Sequence, residues 1–134
     1  MDIDRFKRIN DEFGHMIGDE VLLMTANRMR DNFRSLDKLF RFGGEEFVVV
    51  LKPTSEAHAL RVFERFRAAM EAHAFPQAGR VTISTGFARI GVNDTASVIL
   101  DNADRALYWA KENGRNKVAG YEQLVEAGLL EPTV

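Results

Sequence analysis

Arg41-Phe42-Gly43-Gly44-Glu45-Glu46-Phe47 decides the reading of this chain, because it sets two residues without side chains and two carboxylates between two apolar runs. Lys38 to Phe42 lead in and Phe47 to Leu51 lead out, both with the composition of strands. Glycine reaches positive φ at no steric cost, so Gly43-Gly44 between two such runs predicts a hairpin. Its tip is bare backbone flanked by negative charge. An ordinary solvated turn has the same make-up, and the company the hairpin keeps decides between the two.

Upstream, Phe6, Ile9 and Phe13 recur at helical steps and predict a short helix with one buried face. Gly14-His15 and Gly18-Asp19 are expected to interrupt it. A longer helix follows, with Leu22, Ala26, Met29 and Phe33 on one stripe and Arg28, Arg30, Asp31 and Arg34 away from it. Downstream of the hairpin, Pro53-Thr54-Ser55 ends the strand and supplies an N-cap for a third helix carrying Leu60, Phe63, Phe66 and Met70. Arg80 to Ile90 alternates Val81, Ile83, Thr85 and Phe87 with Thr82, Ser84 and Gly86, the period of a strand with one buried face. From Ser97 a fourth helix turns Leu100, Ala103, Leu107 and Ala110 inward, and Asn113-Gly114 ends it. Lys117 to Tyr121 reads as a short last strand. The order predicts an α+β domain over residues 1–120, helices against a mainly antiparallel central sheet, with 121–134 as a tail or linker.

The chain has 134 residues, 46% of them hydrophobic, enough for one domain with a real core. A formal net charge of −2 argues against a broad nucleic-acid face while leaving room for a local phosphate site. With no cysteine there is neither a disulfide framework nor a thiolate metal site, which fits a reducing compartment, and a cytoplasmic location is expected. No apolar run approaches the ~18 residues of a membrane span, so no membrane contact is expected.

Several blocks, taken in order, resemble a GGDEF domain, the catalytic domain of diguanylate cyclases. Asp2-Ile3-Asp4, Phe6-Lys7, Asn10-Asp11, Gly14-His15 and Gly18-Asp19 match the family's first block, and Gly43-Gly44-Glu45-Glu46-Phe47 matches its signature hairpin. Val81-Thr82-Ile83-Ser84, Gly86, Asp104, Ala106-Leu107-Tyr108, Ala110-Lys111 and Gly114-Arg115-Asn116 match its C-terminal half. Family members enter the first block through an apolar strand preceded by a helix and a turn motif. Neither stands in this sequence, so the first strand of a palm-like, nucleotide-cyclase-like fold is expected to be largely missing.

The resemblance implies condensation of two GTP into cyclic di-GMP with release of two pyrophosphates. It implies Mg²⁺, or Mn²⁺, held by Asp2, the Ile3 carbonyl and Glu45. Two like charges at ~4 Å with an effective dielectric near 20 repel by about 4 kcal/mol, a penalty that a divalent cation converts into binding. Glu46 is implied to orient or deprotonate the 3′-hydroxyl beside Glu45. Gly43 and Gly44 let nucleotide lie against backbone, and the bend at Arg5-Phe6-Lys7 opens a helix whose free N–H groups can hold phosphate. Lys111 and Arg115 are implied for the outer phosphates, although cations in a last helical turn also complement its dipole. Asn10 and Asp19 complement guanine's mixed edge, while Asp19 could instead cap the second helix. His15 is read as structural. Arg34-Ser35-Leu36-Asp37 matches the family's RxxD inhibitory site, which Arg65 could join. One domain carries one GTP, so a homodimer is implied, brought together by an upstream sensor or receiver domain. Two other readings stay open: a module that binds GTP or cyclic di-GMP without turnover, and a more distant palm-type nucleotidyl transferase or adenylyl cyclase.

Overall fold

The computed structural model describes residues 1–133. The chain opens on β1 (Asp2–Ile3), turns at Asp4-Arg5 and enters α1 (Phe6–Phe13) and α2 (His15–Asn32). The hairpin follows as β2 (Lys38–Arg41) and β3 (Phe47–Val50), then α3 (Glu56–Ala72). A two-stranded ribbon of β4 (Ala74–Phe75) and β5 (Gly79–Arg80) leads to β6 (Ile83–Phe87), α4 (Ala96–Glu112), β7 (Val118–Gly120) and α5 (Tyr121–Glu126).

β1 is the shortest kind of strand and the most central. It pairs antiparallel with β6, Asp2 opposite Ser84 and Ile3 opposite Ile83. Its other edge meets the hairpin: Asp2 bridges Glu46, Ile3 N–H donates to the Glu45 carbonyl at 3.3 Å, and Phe47 N–H donates to the Met1 carbonyl at 2.8 Å. β7 lies parallel to β6 on the far side. The expected mainly antiparallel α+β architecture is therefore observed, with β6–β7 as the one parallel pair among the described residues.

β6 departs from its expected one-sided character. Ile83, Ser84, Thr85 and Phe87 are all buried, because helices cover both of its faces. On one side Ile3, Ile83 and Phe87 join Val21, Leu22 and Met29 of α2 and Phe63, Phe66 and Met70 of α3. Phe33 lies 5.3 Å from Phe66, and Phe63 stacks on Phe87 at 5.5 Å. On the other side α4 presses on the strand: a Cβ on Gly86 would fall 2.2 Å from both the Ala103 carbonyl oxygen and the Leu107 nitrogen. The alternation that reads as an exposed polar face is a serine and a glycine suited to a close helix.

The structure departs from further expectations. The run from Arg80 to Ile90 is not one strand, since Val81-Thr82 separate β5, which pairs with β4, from β6, which pairs with β1 and β7. The α1–α2 break falls at Gly14 alone, and α2 runs through Gly18-Asp19, so Asp19 is a helical residue and not a cap. His15, read as packed, is exposed at the start of α2. Leu100, expected inward, is 40% exposed, and the buried face of α4 is Ala106, Leu107 and Ala110. Ser55 caps α3 as expected, its hydroxyl accepting the His58 N–H at 3.1 Å. The stretch beyond Gly120, expected as a tail, carries α5, with Tyr121 and Leu124 buried against Ala106, Ala110 and Ala119. Thr133 returns to Tyr121, its N–H donating to the phenol oxygen at 2.7 Å.

Gly86→Ala should therefore cost about 2–3 kcal/mol of folding free energy, because backbone on both sides leaves the added methyl nowhere to go. Urea unfolding, read by the far-ultraviolet circular dichroism of the helices, measures it.

Candidate active site

The hairpin tip is built by its glycines. Gly43 and Gly44 take φ of 98° and 46°, and the Glu46 N–H donates back to the Gly43 carbonyl at 2.9 Å. The Arg41 guanidinium donates to the Gly44 carbonyl at 3.0 Å and holds the turn shut. This presents Glu45 half-buried and Glu46 exposed beside β1.

Asp2 is the electrostatic centre. Its side chain is 5% exposed, one oxygen pairs with the Lys111 ammonium, and Oδ1 has no partner among the described residues. Burial pushes its carboxyl above the ordinary value of 3.8; Lys111 opposes this and the nearby Glu45 carboxylate reinforces it. Among the described residues no three acidic or histidine side chains converge as a metal cluster. A hard cation here would take Asp2, Glu45 and main-chain oxygen, and the orphaned buried Asp2 Oδ1 fits that donor set. Lys111, expected to reach outer phosphates, pairs with Asp2.

The α1 N-terminus adjoins this centre. Arg5 precedes it in a left-handed conformation with φ of 56°, no side chain caps it, and no acidic residue occupies its first turn. The Ile9 N–H is satisfied by the Arg5 carbonyl, so the N–H groups of Phe6, Lys7 and Arg8 have no helical acceptor. Phe6 and Asn10 lie against Gly18 of α2, where a Cβ would come within 1.8 Å of the Asn10 side-chain oxygen. Gly18 thus lets Asn10 approach α2, beside the exposed Asp19. Arg115, half-buried beyond α4, has no side-chain partner among the described residues. A cleft of 1070 Å³ between the hairpin, α3 and α4, with Glu46 on its wall, is otherwise lined largely by apolar groups such as Val49, Phe63, Phe87 and Leu107, which suits it poorly to a polyanion.

The residues Arg34, Asp37 and Arg65 form a second group at the far end of α2. Both Asp37 carboxylate oxygens accept main-chain N–H groups, from Arg34 at 3.0 Å and Lys52 at 3.1 Å, and Arg65 donates to the Asn32 carbonyl at 2.7 Å. The Arg34 guanidinium has no partner among the described residues.

A match to a protein family decides what this arrangement belongs to: the family model described as "Diguanylate cyclase, GGDEF domain" covers residues 1–117. The chain belongs to the GGDEF family. This GGDEF domain is 49% identical over 126 residues to the response regulator PleD of Caulobacter vibrioides, covering 90% of this chain and 28% of PleD. It is 44% identical to diguanylate cyclase DgcP of Pseudomonas aeruginosa, covering 88% of this chain and 18% of that protein. The chain thus spans less than a third of these curated relatives. Among solved structures, the GGDEF domain of DgcB from Caulobacter crescentus in complex with c-di-GMP superposes with a TM-score of 0.85 at 30% identity, over 90% of this chain and 74% of that one. The active GGEEF domain of a diguanylate cyclase from Vibrio cholerae superposes with a TM-score of 0.83 at 37% identity, over 90% of this chain and 78% of that one.

Motif reading missed what surrounds the GGDEF site. Asp4 is buried and accepts from Thr82 Oγ1 at 2.7 Å, Ser84 Oγ at 2.6 Å and the Asn116 N–H at 2.9 Å. Asn116 in turn bonds Arg67 at 2.9 Å and reaches Glu71, which also pairs with Arg80. Asp4, Thr82, Ser84 and Asn116 all stand in the matched motif blocks, but nothing in their spacing joins them.

Arg80 first, then Asn116, hold the Glu71 carboxyl below its ordinary value of 4.5. A group whose folded value is depressed stabilises the fold above the unfolded value and loses that contribution as pH falls through the folded one. Glu71→Gln should accordingly lower the melting temperature at pH 7, with the gap to wild type closing below about pH 4; thermal melts across that range check it.

Proposed function

We propose that this GGDEF domain binds one GTP and, facing a second copy, condenses two into cyclic di-GMP. The observation that carries the reading is Asp2: a buried carboxylate with an unpartnered oxygen, facing Glu45 and bordered by the unfilled N–H groups of α1. Such a centre suits a cation under a triphosphate better than it suits any apolar ligand.

Asp2, Glu45 and the Ile3 carbonyl would hold Mg²⁺ or Mn²⁺. Bound there, the ion supplies charge neutralisation for the triphosphate and favours ionisation of the attacking hydroxyl. The N–H groups of Phe6 and Lys7 take phosphate oxygens, and the hairpin glycines Gly43 and Gly44 let the nucleotide lie on the backbone. Lys111 exchanges Asp2 for phosphate, and Arg115 forks the outer phosphates. Asn10 and Asp19 read guanine, whose N1–H and exocyclic amine need an acceptor that adenine would leave unpaired. Glu46, exposed toward a facing copy, orients or deprotonates the incoming 3′-hydroxyl. Its oxygen forms the bond to the α-phosphorus as the bond to pyrophosphate breaks and that electron pair leaves with pyrophosphate. A second such transfer closes the ring, which is why the unit of activity is a homodimer. An attached sensor or receiver domain would control that pairing, inside the cytoplasm where GTP is made.

Arg34, with Arg65 and Asp37, provides an inhibitory site for the product. Arg34 supplies the guanidinium that meets a phosphate or guanine, while Asp37, engaged by two backbone N–H groups, shapes the turn beneath it. The Lys111–Asp2 pair favours one competing reading, a module that binds guanine nucleotides without turnover, because the ammonium already neutralises part of the charge that would draw a cation.

Incubation with GTP and Mg²⁺, with the nucleotides resolved by chromatography, separates the two. Cyclic di-GMP is the expected product, and Glu45→Gln should reduce its formation by about 100-fold or more. Unchanged GTP together with tight cyclic di-GMP binding would select the binding module. Arg34→Ala should leave the initial rate intact and relieve its decline as cyclic di-GMP accumulates, followed in progress curves with added product.

A further inference from the structure

We infer that Asp4 is a positioning residue for triphosphate: through the Asn116 N–H it sets the left-handed turn that carries Arg115, and so fixes the phosphate side of the site relative to Asp2. The inference rests on the phosphate role proposed above for Arg115.

Gly114, Arg115 and Asn116 have φ of 114°, 60° and 47°, three consecutive residues in the left-handed half of backbone space. Two of them carry a Cβ, and L-residues enter that region only when their surroundings hold them there. At the front, the Arg115 N–H donates to the Ala110 carbonyl at 2.9 Å and closes α4. At the rear, the Asn116 N–H is shared between Asp4 Oδ2 at 2.9 Å and Ser84 Oγ at 3.1 Å. After it the chain joins β6, the Thr85 N–H donating to the Lys117 carbonyl at 3.0 Å. Arg115 therefore stands between two anchored amides, and the second anchor is a carboxylate.

That carboxylate is 7% exposed and forms no salt bridge among the described residues. Its bonds come from Thr82 and Ser84 hydroxyls and one main-chain amide, so its charge is spent on orientation. Asp4 also sits two residues after Asp2, at the end of β1. One short segment thereby supplies the acid at the cation position and the acid that holds the Arg115 turn. Arg67 at Asn116 Oδ1 steadies the same turn from α3.

The test compares affinity for GMP with affinity for a slowly reacting α-thio GTP, by titration calorimetry with Mg²⁺ on the whole chain. Base recognition by Asn10 and Asp19 lies on α1 and α2, so a positioning defect lowers triphosphate affinity alone. A purely structural defect lowers both equally through the folded fraction. Asp4→Asn exchanges one accepting oxygen for an amide donor among three donors and should reduce the triphosphate-to-monophosphate affinity ratio about tenfold, with GMP affinity unchanged. Ser84→Ala removes the hydroxyl shared by Asp4 and Asn116 and should shift the ratio the same way by a smaller factor; it carries the test if Asp4→Asn does not fold. An unchanged ratio in the folded variants overturns the role of Asp4. A wild type that shows no preference for triphosphate over monophosphate overturns the phosphate reading of Arg115 as well, which separates the two failures.

Discussion

Asp2 and Asp4 carry their charges into the interior at the two ends of one short segment, and the domain treats them in opposite ways. A buried carboxylate costs several kcal/mol unless its oxygens are bonded. Asp4 receives three donors, from Thr82, from Ser84 of β6 and from the α4–β7 turn, which ties three separate stretches of chain together. Asp2 receives one ammonium and keeps an oxygen without a partner. The first arrangement is complete, whereas the second leaves one acceptor without a partner among the described residues.

The sheet makes this contrast possible. β1 is only Asp2–Ile3, yet it lies between the hairpin and β6, so residues far apart in sequence reach Asp2 from both sides. Glu45 comes from a glycine turn, Lys111 from the last turn of α4, and the free N–H groups from α1. α4 reaches its place because Gly86 lets its backbone touch β6 directly. A residue with a side chain there would lift the helix and draw Lys111 away from the acids. The second group, at Arg34, Asp37 and Arg65, lies at the other end of α2 and shares no hydrogen bond with the first among the described residues.

Most of the elements were legible because they obey short-range rules. Ser55 capping α3 follows from its position before a helical repeat, and the hairpin follows from Gly43-Gly44. Local rules misjudged the places where a neighbour intervened. Gly18 reads as a break, but it is a contact point that admits the Asn10 side chain, and the helix runs through it. Ser84 reads as solvent-facing, but it is buried because its hydroxyl serves Asp4. Leu100 reads as core and is exposed, because the covered face of α4 is set by its smaller residues.

The amino-acid order by itself determined the first four helices, the hairpin and the set of acids, cations and glycines that marks the family, since each depends on neighbours within a few positions. Which of those groups meet was decided only by the packed structure. Lys111 pairing with Asp2, Asp37 turned toward backbone amides, and Asp4 joined to Asn116 all span long stretches of chain. No spacing rule encodes such contacts, because they exist only once helices close on both faces of β6 and the energy of burying each charge selects its partner.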